Sequence, residues 1–593
     1  MIGNNIVFTT ISRISALLPK DQKRKAVGMM ALLLVNSFLD ILGLAAILPV
    51  IMILLQDNVL AQNEAFQWVY NFFGFTSETT FLVVFALTVL VFIIVKNALS
   101  LWIYKSQASF SFSLYKHFSA RLFTLYQNKG LQYFKKNNPN YITRNINQVP
   151  LEFTNGIILN TFTLINEAII ILVILATILI YDPFVVGMLL VFILPIFSLF
   201  YKAVKNRTHA IQSELNEIAP KQGINLFQSV YGYVDVKMNN AEAYFLENHK
   251  KLLDRTSHLR VMASVLQQSP TKVIETGMMA AIILVALYGV LYVQDKSHIT
   301  GLLSVFALAA YRILPSINRC MIALMGLKGY QYTFKVLDEV KTDNLNNNMG
   351  SEKEITFQSH IHFADVSFVY QDGHRVLNNT NLSIPKGSTI GLIGKSGSGK
   401  STLVNLLLGF YKPTSGHVLV DDVPLDDANI ISWRSKVGYV QQDVYILDAS
   451  LAENIAFGIP ENAIDKKQLE HAISLASLSN LVTQLPDGAS TRIGDRGTLL
   501  SGGQRQRVGI ARALYNGAKI LVMDEATSAL DSETESEIND AVALLAANEM
   551  TIIIVAHRLT TLINCNQIYE LDMGKVTKQW SYSDLIKGSI VMD

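Results

Sequence analysis

The chain has 593 residues, half of them hydrophobic and only 16% charged. That length predicts several domains, and so low a charged fraction argues against a wholly soluble protein. A formal net charge of +2 argues against a nucleic-acid partner, and two distant cysteines, Cys320 and Cys565, support neither a disulfide framework nor a metal cluster.

Lys20, Lys23, Arg24 and Lys25 precede the first long apolar run. The run is too long for a secretory signal, and no small-residue cleavage site follows it. Upstream, Ile6, Phe8, Ile11, Ile14, Leu17 and Leu18 fit an amphipathic helix on the inner membrane surface, with a disordered start as the alternative. Residues 1–25 are read as that interfacial segment.

Six apolar runs follow, each about long enough to span a bilayer. They are Ala26–Gln56, Phe81–Tyr104, Gly156–Ile180, Phe184–Tyr201, Val273–Val293 and Ile299–Met325. Segment 57–80 has no Lys or Arg, whereas 105–155 and 202–272 are rich in both. The positive-inside bias then places both termini in the cytoplasm and sends two long loops inward. These loops are expected to be helical extensions of the spans. Within them, 138–146 and 239–246 are expected to form short helices that dock on another domain. In the outer loop, Phe66, Val69, Tyr70 and Phe73 fall at i, i+3, i+4 and i+7, which predicts an amphipathic helix over 63–73. A membrane-surface anchor or a lipid-substrate contact fits it. Residues 26–341 are thus read as a six-span transmembrane domain and 342–354 as a polar linker. From 355 to 593, alternating strands and helices predict an α/β domain.

That domain carries Gly394-Lys395-Ser396-Gly397-Ser398-Gly399-Lys400-Ser401, which fits G-x-x-x-x-G-K-[ST] between an apolar strand and a helix. Glycines there let backbone N–H groups close around phosphate oxygens, and the following helix adds its positive end. Lys400 is expected to reach the β- and γ-phosphates of ATP, and Ser401 to ligate Mg²⁺. Lys519–Glu525 is an apolar strand ending in two acids. Asp524 suits Mg²⁺, and Glu525 suits polarisation of an attacking water.

Leu500-Ser501-Gly502-Gly503-Gln504-Arg505-Gln506-Arg507 is the most specific signal. It resembles the signature of ABC-type ATPases, and the chain is identified as a member of the exporter type of ABC transporters. The fold implied is an α-helical six-span domain followed by an α/β P-loop ATPase domain. The resemblance gives Tyr370 the adenine-stacking role and Gln442 the sensing of Mg²⁺ and of the transmembrane domain. It gives 528–531 the link between two ATP sites, His557 the γ-phosphate contact, and 494–497 the exporter-type segment. Asp495 stands where Glu is more usual, and Gln441 where Pro is common. Glu525, His557, Gln442 and Lys400 are then the catalytic set, and Ser401, Gln442 and Asp524 the metal set. The nucleotide site is Tyr370, residues 394–401, Thr402 and Ser501–Gln504. The family sandwiches ATP between the phosphate loop of one chain and the signature of another, which implies a homodimer in the inner membrane.

The spans also hold Asp40, Lys96, Glu167, Glu275, Arg312 and Arg319. Charge at that depth faces a cavity or a partner. Arg312 and Arg319 are seven apart, on one helical face, and are candidates to hold an anionic head group. Buried pairing with Asp40, Glu167 or Glu275 is the competing reading. Lys96 and Lys272 are weaker substrate candidates, since both lie near span ends and can snorkel. Residues 309–319 and the outer helix resemble ABC flippases for lipid-linked oligosaccharides. The expected function is therefore ATP-driven flipping of such a lipid or a related anionic lipid, with a general lipid, drug or peptide exporter as the alternative. No N-terminal peptidase domain is seen, which disfavours a leader-cleaving exporter.

Overall fold

The computed structural model describes residues 6–46, 64–181, 183–292, 296–342, 353–494, 497–525, 532–556 and 558–590, and many side chains of the later spans, including those at 183–186, 188–194, 288–292 and 296–312, lie outside that description. The chain divides into two compact units, Met1–Asn344 and Leu345–Asp593.

The first unit is helical throughout its described part. Its helices are α1 (Ile6–Leu17), α2 (Lys20–Ala45), α3 (Glu64–Phe72), α4 (Glu78–Asn128), α5 (Gly130–Lys136), α6 (Pro139–Phe153), α7 (Leu159–Tyr181), α8 (Pro183–Tyr231), α9 (Tyr233–Met238), α10 (Glu242–Tyr292), α11 (Lys296–Gly329) and α12 (Thr333–Thr342). At 51 residues, α4 is about 77 Å long, more than twice the hydrocarbon core of a bilayer. Helix therefore continues from the apolar runs far into segments 105–155 and 202–272. Along α4, Leu87, Leu90, Val91, Ile94 and Val95 are 52–60% exposed, a row of apolar side chains that water would not tolerate but lipid would. Among the described residues, Lys20–Gly43, Thr79–Asn128 and Pro139–Ala176 are long and apolar enough to cross a membrane. The last three predicted runs lie on α8, α10 and α11.

Two boundaries differ from expectation. The short helix expected at 239–246 is instead a reversal. Asn240 has φ 51°, a left-handed turn that Asn tolerates, and α10 starts at Glu242 after the short α9. The short helix expected at 138–146 is longer: Asn138 caps α6 by accepting from the Asn140 N–H, and helix continues to Phe153. It then passes through a π-turn, Thr154–Ile158, into α7, so the predicted start of the third span falls inside that turn. Tyr330 covers Gly156 so tightly that a Cβ there would lie 2.2 Å from its ring.

The N-terminal helix forms, and one face of it packs on the chain itself. Arg13 pairs with Asp338 at 2.7 Å and lies 4.3 Å from the Phe334 ring centroid. The helix expected over 63–73 is described as α3, with Trp68 stacked on Phe72 at 5.1 Å and Tyr70 edge-on to Phe81 at 5.5 Å.

The second unit contains β1 (His360–Val369), β2 (Arg375–Pro385), β3 (Thr389–Ile393), α13 (Lys400–Leu407), β4 (Ser415–Val420), β5 (Val423–Pro424), α14 (Ile430–Arg434), β6 (Val437–Val440), α15 (Leu451–Ile455), α16 (Lys466–Leu475), α17 (Ser479–Gln484), α18 (Gly502–Tyr515), β7 (Ile520–Asp524), α19 (Ser532–Ala547), β8 (Thr551–Val555), β9 (Gln567–Asp572), β10 (Lys575–Trp580) and α20 (Tyr582–Ile590). One sheet is antiparallel, in the order β2-β1-β4-β5. The other runs β10-β9-β3-β8-β7-β6, and β9, β3, β8, β7 and β6 are parallel. Continuous apolar strands such as Thr551–Val555 suit a parallel sheet covered on both faces. The carboxyl ends of β3, β7 and β8 lie side by side, and there the site-forming loops emerge.

Candidate functional site

The phosphate loop leaves β3 through Gly394, whose φ of 144° suits only glycine. A Cβ at Gly394 would lie 2.2 Å from the Leu571 carbonyl oxygen, so no side chain fits. Gly399 turns the chain again at φ 108° into α13, which begins with Lys400. Lys400 is only 6% exposed. Its Nζ donates to the carbonyl oxygens of Gly394 at 2.7 Å and Lys395 at 3.1 Å. Burial pulls its pKa below the ordinary lysine value, while the Glu525 and Asp524 carboxylates act in the opposite direction. Ser398 Oγ is buried without a hydrogen-bond partner among the described residues. An orphaned hydroxyl beside an ammonium held on loop carbonyls fits a phosphate, which would satisfy both.

Tyr370, at the end of β1, stands beside this loop. Its hydroxyl is 3.1 Å from Thr402 Oγ1, and its ring packs edge-on against Phe368 and Tyr411, at 5.0 and 5.8 Å. Asp524 ends β7 and accepts from Tyr439 Oη at 3.2 Å. Glu525 follows at φ 50°, a left-handed conformation that costs a non-glycine residue about 1–2 kcal/mol. Its N–H donates to the Val555 carbonyl of β8 at 3.0 Å, which holds this conformation at the strand end.

Gln442 is exposed, and its carbonyl accepts from Gln506 Nε2 at 2.7 Å. Gln506 is a buried residue of α18, so it ties the Gln442 loop to the signature helix. At the start of that helix, Ser501 and Gln504 form a reciprocal capping box. Ser501 Oγ accepts from the Gln504 N–H at 3.2 Å, and Gln504 Oε1 accepts from the Ser501 N–H at 2.8 Å. The first-turn N–H groups of Gly502 and Gly503 have no intrahelical acceptor, which makes this end fit for an anion. Expectations for Asp495, 528–531 and His557 lie outside the described residues. The contacts of Tyr439, and of Gln506 within the signature, were not identifiable from the sequence. Each acts on a predicted residue from another element, and no local pattern marks such a contact.

In the membrane unit, the three described candidate cations each meet a carboxylate. Lys96 is 2.6 Å from Asp40, and Lys272 is 3.1 Å from Glu275. Arg319 donates through Nε and Nη2 to both oxygens of the buried Glu167, at 2.6 and 3.1 Å. Arg319 and Glu167 line a cavity of about 360 Å³ with Asn36, Asp40, Tyr104 and Asn166. Arg312 lies outside the described side chains.

A phosphate-binding α/β unit joined to apolar helices of membrane length defines a membrane-bound P-loop ATPase. Residues 377–528 match the ABC transporter family. An ATP-dependent lipid A-core flippase of Cupriavidus metallidurans is 32% identical over 458 residues, 75% of each chain. One from Burkholderia pseudomallei is 31% identical over 474 residues, 77% of this chain and 76% of that one. The fold is that of a bacterial Atm1-family ABC exporter solved with ATP bound, at a TM-score of 0.77, 19% identity and 96% coverage of both chains. The chain belongs to the ABC transporter family. It is an integral membrane protein that couples ATP hydrolysis to transport.

Proposed function

We propose that the protein is a homodimeric flippase that moves an anionic lipid or lipid-linked oligosaccharide across the inner membrane, with both termini and the ATPase unit in the cytoplasm. The observation that carries this reading is the 32% identity, over three quarters of the chain, to an ATP-dependent lipid A-core flippase. Glu525 polarises the attacking water, and His557 and Lys400 hold the γ-phosphate. Tyr370 packs on adenine, and the Ser501–Gln504 helix end of the other chain closes over the phosphates. Mg²⁺ would be held by Ser401, Asp524 and Gln442 and would neutralise phosphate charge. A single carboxylate in that set suits an ion that keeps several waters.

Arg312 and Arg319 are the proposed head-group contacts. Glu167 occupies two of the five N–H donors of Arg319, and 42% of that side chain remains exposed. A phosphate can therefore share the guanidinium with Glu167. Carboxylate pairing of Lys96, Lys272 and Arg319 favours a second reading, in which the cargo is uncharged and the protein is a general lipid or drug exporter.

ATPase activity in nanodiscs separates the two. Lipid A and a lipid-linked oligosaccharide diphosphate are expected to raise turnover severalfold at micromolar concentration, and a neutral glycolipid is expected to leave it unchanged. Equal stimulation by the neutral lipid favours the general exporter, and no response to either anionic lipid contradicts the flippase reading.

A further inference from the structure

The helix that follows the expected inter-site link carries a carboxylate that the chemistry above does not use. Glu535 lies in the first turns of α19, only four residues after Asp531, and is 6% exposed. Burying a carboxylate is costly unless its charge is answered. Among the described residues, it is answered by the single segment 558–561. Glu535 Oε2 accepts from Arg558 Nη1 at 2.9 Å. Oε1 accepts from the hydroxyl of Thr560 at 2.5 Å and from that of Thr561 at 3.2 Å. Burial acts to raise the pKa of this carboxyl, but the hydrogen bonds from Thr560, Arg558 and Thr561 hold it below the ordinary range. One turn on, Asn539 adds a longer contact from its Nδ2 to the Thr560 carbonyl at 3.4 Å, and its own carbonyl accepts from Asn564 Nδ2 at 3.4 Å. The gripped segment is the 3-10 turn Leu559–Leu562 with its entry residue Arg558.

Arg558 follows His557 directly in the chain. Three donors within four residues of that histidine thus converge on one buried acid. Strand β8 fixes the chain before His557, through Val555, and Glu535 fixes it after. Three bonds from this one short turn fix the rotation of the segment as well as its position, and therefore the direction in which a preceding side chain leaves the backbone.

We propose that Glu535 is a positioning residue for ATP hydrolysis, holding the turn after His557 so that the imidazole meets the γ-phosphate, and joining that turn to the helix that follows 528–531. This rests on the reading of His557 as the γ-phosphate contact. The described partners of Glu535 are Arg558, Thr560 and Thr561 rather than the phosphate loop, so its loss is expected to slow the chemical step and to spare nucleotide binding.

The test uses the full-length protein in nanodiscs and single-turnover hydrolysis, which resolves slow rates. Glu535→Gln retains the shape and one acceptor oxygen but loses the charge. It is expected to lower the hydrolytic rate about tenfold, with the ATP concentration for half-saturation within about twofold of wild type. Thr560→Val, a gentler change, is expected to do the same to a smaller degree, about threefold. In a His557→Ala background, Glu535→Gln is expected to have no further effect, because its route to the reaction is already gone. An unchanged rate in Glu535→Gln overturns the proposal, as does a parallel loss of nucleotide binding and melting temperature in both variants. An equal further loss in the His557→Ala background also overturns it. His557→Ala alone tests the underlying reading: wild-type turnover there removes the γ-phosphate role itself, whatever Glu535 does.

Discussion

Glu525→Gln is expected to lower steady-state ATP turnover at least about 100-fold while ATP still binds. Glutamine preserves the volume of the side chain and the left-handed backbone at φ 50°. It therefore isolates the one property that changes, which is the ability to draw a proton from water. Lys400, the phosphate loop and the signature helix are untouched, so nucleotide should still bring two ATPase units together. With hydrolysis blocked, the closed dimer should accumulate in the presence of ATP. Turnover measured by phosphate release, with bound ATP measured on the same sample, checks both halves. Near-normal turnover in a purified Glu525→Gln protein contradicts the assignment.

The second large effect is a rescue. Lys400→Ala removes the buried ammonium that sits on the Gly394 and Lys395 carbonyls. Ser501→Arg destroys the capping box and places a long cation where the signature helix begins. Each homodimer is expected to be nearly inactive, because each of its two sites lacks one half. A mixed dimer has one site with both defects and one with neither. After both tags are selected every dimer is mixed, so restored activity of up to about half of wild type is expected if the sites act independently. The measurement is ATP turnover after co-expression with distinct tags and double purification. No recovery in the doubly tagged fraction, or full activity from an isolated monomer, contradicts a composite site.

Much of this site was legible because its parts are local. The strand, Gly-rich turn and helix around 389–407 follow from neighbouring residues, and the structure places Gly394, Gly399 and Lys400 accordingly. The signature at Ser501–Gln504 is likewise local, and its four residues form the capping box. Contacts across the sheet were not legible. Tyr439 reaches Asp524 only because β6 pairs with β7, and Glu535 reaches Thr560 only because α19 packs beside the turn after β8. Nothing in the local pattern of either segment selects its partner. In the membrane unit, six apolar runs gave the long helices, but not which acid meets which base. Arg319 and Glu167 are 152 residues apart, and their pairing is decided by how α7 and α11 cross. The π-turn at 154–158 was not legible either, and the residue that covers its Gly156, Tyr330, is far along the chain. The reversal at Asn239 and Asn240 was legible in principle: two successive asparagines are a turn signal that the apolar residues after them obscured.

On the proposed function, ATP hydrolysis drives an anionic lipid head group across the membrane past Arg312 and Arg319, and the decisive measurement is the movement of a fluorescent lipid-linked oligosaccharide diphosphate in proteoliposomes, read by enzymatic accessibility of the glycan on one leaflet. Wild-type protein with ATP and Mg²⁺ is expected to move the lipid, and Glu525→Gln is expected not to. A double variant, Arg312→Ala with Arg319→Ala, is expected to remain folded and to hydrolyse ATP but to leave the lipid in place. Unchanged lipid movement by that double variant, or movement in wild type that does not need ATP, would contradict the account.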